Sequence, residues 1–176
     1  HTTTVNQFTC LACHETNPLS PQHGTAIPTS ILVSTSVPVS NETLNEPNVV
    51  TSITLFNIQV GDTSQLTISL NNVPTQGYTS TEFTCTYDPA LVEVRNISLG
   101  NLFGTDAVSG IFGPQNGSFI IGIAGSNGKK ASGSGSAFTF NAKGLQAGQT
   151  TVECKARVSE GQNVLQDISS IPSNMT

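Results

Sequence analysis

A chain of 176 residues has room for one domain of ordinary size and an extension. Only 10% of its residues are charged, the net charge is −5, and the six Lys and Arg are scattered, which argues against nucleic-acid binding through a basic patch. No apolar run reaches the roughly 18 residues that span a bilayer, and no signal peptide is visible; since His1 is not an initiator Met, the chain reads as processed or trimmed.

Residues 1–50 form an extension unlike the rest. Pro18, Pro21, Pro28, Pro38 and Pro47 punctuate it, and each removes a backbone N–H and disfavours helix at the residue before it. The sharpest motif of the chain lies here, Cys10-Leu11-Ala12-Cys13-His14. C-x-x-C-H is the attachment spacing of a c-type haem: Cys10 and Cys13 would add to the vinyl groups and His14 would ligate the iron. His23 is the candidate second axial ligand, with His1 and Met175 as alternatives. The head offers only Val5, Phe8, Leu11, Leu19 and Ile27 to cover a haem. The same cysteines suit a local disulfide, a crosslink to another chain, or a zinc site completed by two of His1, His14 and His23. An N-terminal His1 also suits copper chelation, if it is the mature terminus. Further on, residues 31–37 (ILVSTSV) read as one extended strand outside the predicted core, and residues 38–50 as a polar linker.

From about residue 51 short β-rich runs alternate with Gly, Asn, Pro and Asp turns, the spacing of an all-β sandwich. The predicted strands are 52–58, 64–71, 81–87, 91–97, 107–113, 117–124, 136–143, 149–158 and 163–168. Period-two alternation puts Leu66, Ile68 and Leu70 on one face, Phe119, Ile121 and Ile123 on one face, and Val152, Cys154, Ala156 and Val158 on one face. Residues 129–136 (KKASGSGS) read as a flexible loop and 171–176 as a C-terminal tail. Asn41, Asn96, Asn116 and Asn174 begin N-x-S/T sequons, candidate glycosylation sites in a secreted protein.

Three pieces in order carry a family resemblance: Val60-Gly61-Asp62-Thr63 before a strand, Tyr87-Asp88-Pro89 after one, and Leu91-Val92-Glu93-Val94 directly following. With Gly100-Asn101-Leu102-Phe103-Gly104 next, residues 52–168 resemble a cohesin domain. The resemblance implies a nine-stranded, jelly-roll-like β-sandwich behind the irregular extension. It also implies a flat sheet of the third, fifth, sixth and eighth strands whose outward face binds a protein, the dockerin. The matching outward positions are Glu82, Thr84 and Thr86, Ser118, Ile120 and Gly122, and Thr151, Glu153 and Lys155. This set is small, polar and nearly uncharged, without the aromatic and Arg anchors that concentrate binding energy, and reads equally as a solvated sheet face. In that arrangement the third and eighth strands are neighbours, so Cys85 and Cys154 are candidates for a cross-strand disulfide; two buried thiols are the alternative.

Sugar binding is disfavoured, since the chain has no Trp and its Tyr87 shares a face with Phe83 and Cys85. All three His lie within the first 23 residues, and Asp62, Asp88 and Asp106 sit at predicted turns, so no hydrolase or transferase constellation is seen. The sequence is therefore read as an extracellular, non-catalytic interaction or assembly module at the cell surface. Its expected partner is another protein or copies of itself, and residues 31–37 adding to a sheet edge of the next copy would build a filament. The alternative is an electron-transfer protein carrying one covalent haem on a β-sandwich.

Overall fold

The computed structural model describes residues 46–162 and 164–176. Ten strands follow in chain order: β1 (Asn48–Ile53), β2 (Thr63–Tyr78), β3 (Ser80–Thr86), β4 (Val92–Leu99), β5 (Val108–Gln115), β6 (Ser118–Ala124), β7 (Ala131–Gly144), β8 (Thr150–Ser159), β9 (Gln166–Ile171) and β10 (Ser173–Met175). They run in the order β4-β7-β2-β1-β9-β8-β3-β6-β5, with β10 against β8. β9 belongs to both layers. Its first half pairs antiparallel with β8 and its second half parallel with β1. The two layers are therefore β4-β7-β2-β1 and β8-β3-β6-β5, the all-β sandwich expected, and the second layer holds the third, fifth, sixth and eighth strands.

The alternating residues close on a common core. Leu66, Ile68 and Leu70 from β2, Phe138 and Phe140 from β7, Phe83 from β3 and Phe119 and Ile121 from β6 are all at most 1% exposed. Phe83 meets Phe138 edge-on with ring centroids 5.1 Å apart, and Phe119 meets Phe140 at 5.2 Å, so aromatic contacts knit one layer to the other. Cys85 and Cys154 stand opposite each other in the β3–β8 register, with Cα atoms 4.0 Å apart, and form a disulfide inside this core. The bond joins residues 69 apart in sequence, a loop whose closure stabilises the fold by about 4 kcal/mol on chain-entropy grounds.

Four expectations about elements change. The first strand begins at Asn48, within the predicted linker, because Val49, Thr51 and Ile53 are the buried alternating set; 54–62 is a loop. The Gly- and Ser-rich run read as a flexible loop is the start of β7, where Ser136, Gly135, Gly133 and Ala131 pair with β2 through several bulges. A ladder uses backbone groups, so residues without a hydrophobic pattern can still extend it. The last strand is Gln166–Ile171, later than predicted. The tail includes β10, which pairs with β8 and carries Met175 into the core at 2% exposure. Met175 is thus a packing residue and is withdrawn from the axial-ligand alternatives.

Candidate functional site

Cys10, Cys13, His14, His23 and Asn41 lie outside the described residues, so the site that can be built is on the sandwich. On the β8-β3-β6-β5 layer, one residue faces the core and the next faces out. The register lays the outward residues in three rows across all four strands. Arg157, Glu82, Gly122 and Gly110 form one row; Lys155, Thr84, Ile120 and Phe112 the next; Glu153, Thr86, Ser118 and Gln115 the third. Every predicted outward residue from Glu82 to Lys155 is on this face except Thr151. That residue lies at the β8 border, where its hydroxyl donates to Asn174 Oδ1 at 2.7 Å.

The expectation that this face lacks anchors needs correction. Phe112 is 65% exposed beside Ile120 in the middle row, and Arg157 is exposed at the end of the first. Arg157 was legible as outward from the β8 alternation. Phe112 was not, because β5 has no apolar–polar alternation and all eight of its residues are exposed.

Charges on the face are paired. The Arg157 guanidinium donates to Glu82 Oε1, and Lys155 Nζ lies 3.8 Å from Glu153 Oε2. Glu82, chiefly by its hydrogen bond, raises the Arg157 pKa still further, and Asp167 adds to it. Glu153 is also held by the Ser170 hydroxyl at 3.0 Å. The face therefore has balanced charge on its β8–β3 side and an apolar centre of Ile120 and Phe112 on its β6–β5 side.

Next to that centre lies a shallow trough of about 350 Å³, lined by Glu82, Val108, Gly110, Gly122, Ala124 and Leu165 among others. Its floor exists because two facing positions lack side chains. A Cβ at Gly110 or Gly122 would meet no atom within 4 Å, so packing does not demand glycine at either. Glycine within a strand weakens it. Gly117 is different: at φ 77° in the Asn116-Gly117 turn, its Cβ would approach Tyr87 O to 2.7 Å.

The sequence and the fold place the chain among known proteins. The family model for the cohesin domain matches residues 49–176. The chain belongs to the cohesin family. Cohesin domains are non-catalytic modules that bind other proteins. A non-cellulosomal cohesin from the hyperthermophilic archaeon Archaeoglobus fulgidus shares the fold at TM-score 0.61 and 16% identity, over 74% of this chain and 89% of that one. The third cohesin of ScaC from Acetivibrio cellulolyticus, solved in complex with the ScaB dockerin, aligns at TM-score 0.62 and 17% identity, over 73% and 96%. A cohesin module of a Clostridium perfringens family 33 glycoside hydrolase aligns at 0.59 and 15%, over 74% and 93%. No curated protein sequence matches. Residues 1–48 fall outside the family match.

The remaining residues singled out in the sequence lie away from this face or are committed to packing. Tyr78 is buried and Tyr87 half-buried against the core, and burial raises both phenol pKa values. Asn96 is exposed on β4 and Asn116 is exposed in the β5–β6 turn, each with φ above 50° or at it. Among the described residues, no group of three or more His, Cys, Asp or Glu is placed to hold a metal ion.

Proposed function

We propose that this cohesin works outside the cell as a docking module, and that the outward face of β8-β3-β6-β5 binds a protein partner of the dockerin kind. The observation that carries the reading is the glycine-floored trough beside Phe112 and Ile120. Gly110 and Gly122 weaken their strands without relieving any crowding, which suits a surface kept open for another molecule. Related cohesins solved with dockerins support the class of partner. The buried disulfide supports an oxidising compartment.

Calorimetric titration with dockerin modules of the source organism tests the reading. Saturable binding is expected, and Gly122→Val, which fills the trough while leaving the core untouched, should abolish it. Absence of binding to any such module, or full affinity in the Gly122→Val variant, would overturn the proposal.

A second reading concerns the extension. Cys10 and Cys13 would hold a covalent haem with His14 and His23 as iron ligands, making the chain an electron carrier as well. The C-x-x-C-H spacing supports it. Protein isolated from its source should show a Soret band and about 616 Da of added mass; absence of both leaves the disulfide, crosslink or zinc reading of the same residues.

A further inference from the structure

The strand path is joined on one side by β9, which pairs with both layers, and it ends on the other side at β4 and β5. The two end strands treat their free edges differently. β4 carries Glu93 and Arg95, paired at 2.6 Å, and its register slips between Arg95 and Ser98, around Asn96 at φ 54°. Charge, a bulge and Pro are standard defences of an edge against another strand; β4 carries its charges along the regular ladder, whereas the shift and Pro114 of β5 lie only at its end. β5 (VSGIFGPQ) has no charged residue, and all eight of its positions are exposed. Ile111 stands opposite Ile121, which is wholly buried, so it belongs to the core-facing side; yet it is 47% exposed. A register shift after Phe112, at Gly113 and Pro114, ends the regular edge and leaves residues 108–112 open.

We infer that this edge accepts residues 31–37 of a second copy of the chain as an added strand. The inference rests on the assembly reading of the sequence; it borders the dockerin-type face at Phe112, and its test is separate from that of the face. Ile31, Val33, Thr35 and Val37 alternate and are all β-branched, the residues that favour strands. In an added strand they would lie on the side of Ser109 and Ile111. Leu32, Ser34 and Ser36 would fall on the other side and continue the outward face beside Phe112. Residues 31–37 contain no charge to oppose burial, and Pro28 and Pro38 bracket them.

The ten residues 38–47 lead from this segment into β1. Fully drawn out, ten residues span about 33–36 Å, long enough to carry 31–37 to the edge of a neighbouring copy; return to the chain's own β5 would leave it monomeric, which the mass measurement below distinguishes. Because each copy then donates one strand and accepts one, the contact is heterologous and head-to-tail, giving a filament or, where its rotation closes, a ring.

The test uses the full chain, with no partner protein present, so its outcome is separate from that of the dockerin titration. Mass is measured by light scattering across a concentration series for the wild type, Ile111→Lys and Val33→Pro. The wild type should give species above monomer mass. Ile111→Lys, which keeps a donor but has a charged edge, and Val33→Pro, which keeps the edge but has a broken donor, should each be monomeric. Mixed in equal amounts they should give a dimer and nothing larger. A monomeric wild type, assembly persisting in either variant, or a mixture that stays monomeric would overturn the inference. Val33 precedes β1 in the sequence, so the Val33→Pro arm carries the test even if Ile111→Lys lowers the thermal transition.

Discussion

The two faces of the β8-β3-β6-β5 layer are built from the same four strands and do opposite work. Inward stand Phe83, Cys85, Phe119, Ile121 and Cys154, all at most 1% exposed and bound by ring contacts and a disulfide. Outward, one residue along each strand, stand Thr84, Ile120, Gly122 and Lys155, with Phe112 at the end of the middle row. The inner face is crowded and specified by size; the outer face has open space where Gly110 and Gly122 sit. The difference teaches that fold and recognition are separable here at a spacing of a single residue, and substitutions can be aimed at one without the other.

The largest expected effect breaks the inner face. Phe138→Ala removes a ring that touches Phe83, Phe119 and Phe140 and should lower unfolding free energy by about 3–5 kcal/mol; urea denaturation measures it. Replacing Cys85 and Cys154 together by Ser should cost about 4 kcal/mol from the loop constraint alone. That cost is read as the difference between the variant and the oxidised wild type, and reduction of the wild type should reproduce most of it. On the outer face, Gly122→Val should change stability by no more than about 1 kcal/mol, with the gain in strand propensity setting the sign, while partner binding is lost. A large destabilisation by this variant would show that the faces are not separable.

The smallest effect lies away from both faces. Lys129, bonded to Asp106 at 2.6 Å, holds its carboxyl below the ordinary range, with Asn127 assisting. A carboxylate with a lowered folded pKa adds stability above its unfolded pKa and loses it as pH falls through the folded value. The pair therefore helps at neutral pH and fades below the usual carboxylate range. The site is exposed, so Asp106→Asn should flatten only a shallow acid-side decline in melting temperature.

Much of the inner face was legible in the sequence, because burial on one side of a strand writes a period-two pattern: Leu66, Ile68 and Leu70, or Val152, Cys154 and Ala156, announce themselves. Strands without that pattern were missed or misplaced. The 131–136 start of β7 is Gly and Ser held by backbone pairing with β2, and β10 is three residues whose one apolar member, Met175, reaches the core. For the site, the alternation of β3, β6 and β8 delivered most of the outward rows. Phe112 escaped because its strand is an edge, exposed on both sides, so no periodicity marks which way it points. The trough escaped because it is made of absent side chains, and the meaning of Gly110 and Gly122 depends on their standing opposite each other across β5 and β6.

The most direct test of the central claim is a chemical-shift map of the isotopically labelled chain on titration with its dockerin-type partner. The account predicts that the largest changes fall on Thr84, Phe112, Ile120, Gly122 and Lys155, with the β4-β7-β2-β1 layer nearly unmoved. Changes concentrated on that other layer, or spread evenly over both, would contradict it.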